Sequence, residues 1–99
     1  MTNDEQWNEL LTRLTTKSQT YTVTVLNALR EAVPGLRVPH KAIIGTVFFW
    51  ARGLWDQCSV EVTTKDKSYT WRHDHRNHRV LTLDAIPAEL ISALRRFTV

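Results

Sequence analysis

The sequence predicts an α+β fold, with two N-terminal helices, an antiparallel β-meander of three to four strands, and a C-terminal helix packed on the sheet. Three patterns carry that expectation. Apolar residues recur at helical spacing through residues 7–32, alternate with polar ones over residues 58–63, and return to helical spacing after Pro87. Ninety-nine residues suit one domain, 1–99, with one core. At 42% apolar and 23% charged residues the composition is that of an ordinary globular chain, away from disordered and membrane-embedded ones.

The first helix covers residues 4–16, because Trp7, Leu10, Leu11 and Leu14 fall on one stripe and Thr2 with Glu5 forms a capping box. In the second, Val25, Ala28, Leu29 and Ala32 share a face, and Pro34-Gly35 stops the helix. Its β-branched beginning resists helix and sets the predicted start near Thr22. Residues 36–40, containing Pro39, read as a connector. Residues 42–50 are β-branched and aromatic and predict a buried strand, after which Arg52-Gly53 turns the chain.

Cys58, Val60 and Val62 then alternate with Ser59, Glu61 and Thr63, the mark of a half-buried strand, and Lys65-Asp66-Lys67 supplies a hairpin tip. In the return strand Tyr69, Trp71 and His73 share one face, while Thr70 and Arg72 share the other. Residues 79–83 make a fourth strand. Pro87 suits a first helical position, and Leu90, Ile91, Leu94 and Phe97 form a stripe that leaves Arg95 and Arg96 outside. The competing assignment makes residues 39–54 a third helix, giving a winged-helix-like outline of three helices plus a β-hairpin. That helix would carry Ile43, Ile44, Val47, Phe48, Phe49 and Trp50 all round it and would be buried, unable to read a groove.

Several function classes fall away at this level. The three glycines, Gly35, Gly45 and Gly53, are isolated, so neither a P-loop nor a dinucleotide-binding turn can be written. One cysteine, Cys58, excludes an internal disulfide and a cysteine-based zinc cluster, and reads as a small buried hydrophobe. The opening MTNDEQWNEL is acidic and lacks the apolar stretch of a secretory signal, so a cytoplasmic location is expected. The apolar run over residues 42–51 is too short for a membrane span.

The net charge of +3 sits in one stretch. Residues 65–79 hold Lys65, Lys67, Arg72, Arg76 and Arg79 against Asp66 and Asp74, and the remaining charges cancel. His73, His75 and His78 add to this charge at acid pH. A concentrated basic surface attracts phosphates or acidic protein faces. Stacking of bases on Tyr69 and Trp71 is disfavoured, since these rings point away from Arg72 on an extended strand and into the core.

The run His73-Asp74-His75-Arg76-Asn77-His78 resembles the HxHxDH signature of the metallo-β-lactamase superfamily over six residues, with Asn77 where that family has aspartate. The resemblance implies a metal-dependent hydrolase. It also implies further ligands downstream, where this chain offers only Asp84 and Glu89, and Arg72, Arg76 and Arg79 would repel a dication. No metal or other cofactor is therefore expected.

Phe48, Phe49 and Trp50 are consecutive and cannot all face inward from a strand. With Phe48 and Trp50 in the core, Phe49 falls on the opposite face and, with Trp55, forms an apolar patch that asks to be covered. The reading that results is a small non-enzymatic protein that binds another protein as an inhibitor, adaptor or regulator, or pairs with a second copy as a homodimer. Its expected contacts are Lys65, Lys67, Arg72, Arg76 and Arg79 for polar steering and Phe49 and Trp55 for apolar burial. Nucleic-acid binding through the same basic segment is the first alternative, and a hydrolase built on His73, His75 and His78 is the second.

Overall fold

The computed structural model describes residues 2–43, 46–50, 57–63, 67–73, 76–80 and 86–99, with residues 43, 48, 50, 57, 63 and 76–80 described through their backbones alone. Helix α1 (Asn3–Thr16) opens at Thr2, whose hydroxyl accepts from the Glu5 N–H at 3.2 Å and donates to Glu5 Oε1 at 3.1 Å. That satisfies one of the helix's orphan donors and draws the Glu5 carboxylate to the positive end of the helix. At the other end Ser18 takes a left-handed conformation (φ 61°), its N–H bonds the Thr15 carbonyl at 3.0 Å, and the Gln19 N–H bonds the Leu14 carbonyl at 2.9 Å. This is a Schellman motif with serine where glycine is favoured.

Helix α2 (Thr20–Ala32) begins two residues ahead of the predicted Thr22. Threonine and valine cost only tenths of a kcal/mol each in a helix, about 0.5 at most. Burial of Thr22, Val25 and Leu26, with a 2.6 Å bond from the Tyr21 hydroxyl to the Lys67 carbonyl, outweighs that resistance. The helix stops at Pro34-Gly35 as expected, and Gly35 holds φ 81°, open to glycine without strain.

The connector that follows is fixed from two sides. Trp7 Nε1 donates to the Leu36 carbonyl at 2.8 Å, Asn3 Nδ2 donates to the same oxygen at 3.0 Å, and Asn3 Oδ1 accepts from the Val38 N–H at 3.0 Å. From the other side the Arg37 N–H bonds the Phe97 carbonyl at 2.8 Å, and the Val99 N–H bonds the Gly35 carbonyl at 2.9 Å. Leu36 and Thr98 form a β-bridge between these bonds.

The sheet is an antiparallel meander of five strands in sequence order: β1 (Lys41–Ile43), β2 (Thr46–Trp50), β3 (Gln57–Thr63), β4 (Ser68–His73) and β5 (Arg76–Val80). The single strand expected over 42–50 is thus two strands, with Ile43 paired to Thr46 and only residues 44 and 45 between them. The apolar content on both sides gives one uninterrupted strand signal in the sequence, which hides the break. The same register removes the winged-helix alternative, since residues 41–43 and 46–50 form a hairpin; the remainder of that supposed helix, 51–54, lies outside the described residues.

The last strand starts at Arg76, three residues before the predicted Arg79, with His73 opposite Arg76 and residues 74 and 75 between the strands. Its polar sequence hides the strand from an alternation test, and residues 81–83 lie outside the described residues. Chain reversal at Arg52-Gly53 also lies outside them. Helix α3 (Ala88–Leu94) follows, with Pro87 just before it as the cap residue, and a 3-10 turn (Arg95–Phe97) completes the predicted stripe: Leu90, Leu94 and Phe97 are buried, and Arg95 and Arg96 are exposed. No helix among the described residues is long and apolar enough to cross a membrane.

One face of the sheet carries the core. Val47 and Phe49, Cys58, Val60 and Val62, and Tyr69 and Trp71 are all buried, in one cluster with Trp7, Leu10 and Leu14 of α1, Val25, Leu26 and Leu29 of α2, and Leu90, Leu94 and Phe97. Phe49 and Phe97 meet with ring centroids 6.4 Å apart at a 40° tilt, joining the chain's end to the sheet. Two stability outcomes follow and are read from thermal or denaturant unfolding. Ser18→Gly removes the left-handed strain at the Schellman position and raises stability by about 0.5–1 kcal/mol. Trp71→Ala, truncating a side chain that is 3% exposed, lowers it by about 3–5 kcal/mol.

Candidate functional site

Register places each sheet residue on one of two faces, because residues directly opposite in antiparallel strands share a side. Ala42, Val47, Val60 and Trp71 lie in one row, and Phe49, Cys58 and His73 in the next, on the face that the helices cover. The opposite face holds Lys41, Phe48, Ser59 and Arg72 in one row and Thr46, Glu61 and Thr70 in its neighbour, so Phe48 is registered away from the core face expected for it. Lys41, Glu61 and Arg72 are exposed, and Thr46, Ser59 and Thr70 are half-buried. This open face, with both signs of charge on its described side chains and the Glu61 carboxylate on the middle strand, is the candidate binding surface.

The basic residues expected to act together are divided by this geometry. Arg72 is exposed on the open face, and Arg79 is registered opposite Thr70 in the row of Glu61. Arg76 is instead registered opposite His73, in the row of Phe49 and Cys58. Lys67 stands at the turn before β4, exposed, with φ 50° and its carbonyl held by Tyr21. Lys65 lies outside the described residues. Linear proximity had gathered these cations into one patch, whereas the two-residue period of β5 separates Arg76 from Arg79.

The apolar half of the expected surface needs correction. Phe49 is only 1% exposed, on the core side with Val47, so it is not part of an open patch. Three consecutive aromatics leave the phase of a strand undecided, and here Val47 and Phe49 take the buried phase that β3 reinforces through the pairs Val47–Val60 and Phe49–Cys58. Trp55 lies outside the described residues. Tyr69 and Trp71 are buried, as the alternation predicted, and offer no ring for a base to stack on.

Of the histidine run, His73 ends β4 half-buried and His78 is registered opposite Trp71 on β5, while His75 and Asp74 lie outside the described residues. Among the described residues no group of three or more His, Cys, Asp or Glu side chains stands close enough to hold a metal ion. Lys41, Thr46 and Glu61 were not among the contacts expected from the sequence, although the alternation of β3 already placed Glu61 on its polar side. Their signal was the polar half of the strand alternation, legible in Glu61 but hidden in β1, which is three residues long.

Comparison with family models, with curated proteins and with solved structures found no match to this chain. The surface is therefore interpreted from its own geometry.

Beneath the open face, Tyr69 is the titrating group that burial perturbs. Desolvation, with a smaller contribution from the Tyr21 phenol, pushes its pKa above the ordinary value of 10.0. Its hydroxyl is buried and has no hydrogen-bond partner among the described residues. The folded protein holds this proton to higher pH than the unfolded chain does. Stability is therefore fully present below the unfolded value of 10.0 and is lost as pH rises through the folded one. Tyr69→Phe is accordingly neutral or stabilising by up to about 1 kcal/mol at neutral pH, and it flattens the alkaline decline in unfolding midpoint measured above pH 10.0.

Proposed function

We propose that this protein is a small non-enzymatic binding protein, an inhibitor, adaptor or regulator, that presents the open face of its sheet to the surface of another protein. The observation that supports this reading is the charge pattern of that face. Glu61 stands exposed on the middle strand, with Arg72 on the next strand and Lys41 on the edge. A nucleic-acid backbone lays unbroken negative charge across its footprint, and a central carboxylate opposes it. A protein surface answers each sign with its opposite, gaining orientation and association rate from the match. Tyr69 and Trp71, the rings interleaved with the basic segment, are buried and so are not offered to a single strand.

Two measurements test this reading. In affinity capture from nuclease-treated extract, wild-type protein retains a protein partner that the Arg72→Ala/Arg79→Ala variant loses, while Arg76→Ala keeps most of it. Arg72→Ala, at an exposed side chain, changes folding stability by only about 0.5 kcal/mol, and the unfolding midpoint of each variant is measured alongside. Anisotropy titration with single- and double-stranded nucleic acid at about 50 and 200 mM salt shows no specific binding. Binding that is strong at the lower salt, collapses at the higher, and tightens in Glu61→Lys would overturn the protein-partner reading in favour of nucleic acid.

A further inference from the structure

Helix α1 and residues 37–42 enclose a cleft of about 480 Å³, away from the middle of the open face. Gln6, Leu10 and Arg13 follow one another at helical spacing along its α1 wall, and Val38, His40 and Ala42 form the facing wall. Phe49 and Phe97, almost fully buried, close it from behind. The volume lies within the range of small-molecule sites, which combine an apolar lining with a few convergent polar groups. The facing wall is preformed, since the Asn3 and Trp7 side chains hold the backbone at Leu36 and Val38 and the Phe97 carbonyl holds Arg37.

The charge of the rim selects the ligand. Arg13, Arg37 and Lys41 are exposed cations at the cleft, beside His40, against the single carboxylate of Glu9. Neither Arg13 nor Arg37 pairs with a carboxylate among the described residues. They come from two elements, helix α1 and the connector, so their charges converge on the cleft mouth from two sides. We propose that this cleft binds a small organic anion, its carboxylate or phosphate head between Arg13 and Arg37 and its apolar body along Val38 and Ala42, the half-buried apolar residues of the facing wall.

The probe is octanoate, titrated into isotope-labelled full-length protein and followed by amide chemical shifts, with 1-octanol and acetate as the neutral and the tail-less controls. Octanoate is expected to saturate one site, with shifts centred on Leu10, Arg13, Arg37 and Ala42. It should bind about tenfold more tightly than octanol, the contribution of one charge-assisted contact. Arg13→Gln/Arg37→Gln, altering two exposed side chains, keeps the folded spectrum and abolishes that preference. Lys41→Gln, which changes only one rim cation, weakens binding less. Equal affinity for octanoate and octanol, equal affinity for octanoate and acetate, absence of saturable binding, or shifts mapping elsewhere would each overturn the assignment. Arg13 and Arg37 are not on the open sheet face, so this result stands or falls independently of the protein-partner reading.

Discussion

The indole N–H of Trp7 is a buried donor in an apolar cluster, and its bond to the Leu36 carbonyl is the constraint around which the fold is arranged. A buried polar group without a partner costs about 1–3 kcal/mol, so the indole can enter the core only where a backbone acceptor meets it. Leu36 provides that acceptor because α2 has just ended at Pro34-Gly35 and its carbonyl is not committed to a helix. Asn3, one turn before Trp7, completes the arrangement by bonding both the same carbonyl and the Val38 N–H. The ring face of Trp7 is used as well: the Arg30 guanidinium lies 5.2 Å from it and is held at 2.7 Å by Asp4. One tryptophan thus ties α1 to α2, to the connector and, through the connector, to the first strand.

The sheet follows a different logic, that of one-sided burial. Seven described side chains from β2, β3 and β4 face the helices, and the alternate positions of β3 and β4 are polar. Shifting any one of these strands by a single residue would exchange Val60 or Trp71 for Glu61 or Arg72 in the core, so the registers support one another. Because the polar face is not needed to hold the fold together, its charges are available to determine what the protein meets.

The legible parts of the sequence were those in which periodicity and chemistry agreed. Trp7, Leu10 and Leu14, the Thr2–Glu5 cap, the alternation of Cys58, Val60 and Val62, and the inward Trp71 all carry both signals. The pairing of β1 with β2 was obscured because both strands lie in one apolar stretch of sequence. Phe49 was assigned to the wrong face because consecutive aromatics carry no phase of their own, and the phase came from β3, a partner that local patterning cannot identify. The cleft was not legible at all. Arg13 and Arg37 are separated by a whole helix, and only the bonds at Leu36 bring their two segments to the same place.

The bridge between Leu36 and Thr98 has a bearing on how the chain acquires its structure during synthesis. Residues 36–38 take their final conformation from two sources, one made at the beginning of this stretch of chain and one made at its end. The α1–α2 pair can dock Leu36 against Trp7 as soon as both helices are present, yet Arg37 and Gly35 find their other backbone partners only when Phe97 and Val99 have been made. The ring of Phe97, which completes the packing around Phe49, arrives with them. Closure of the core is thereby deferred until residues 97–99 have been made, and the apolar face of the meander is left uncovered in the interval. Transiently uncovered apolar sheet surface is prone to aggregate, so joining residues 35–37 to residues 97–99 lengthens the time for which the sheet carries that hazard.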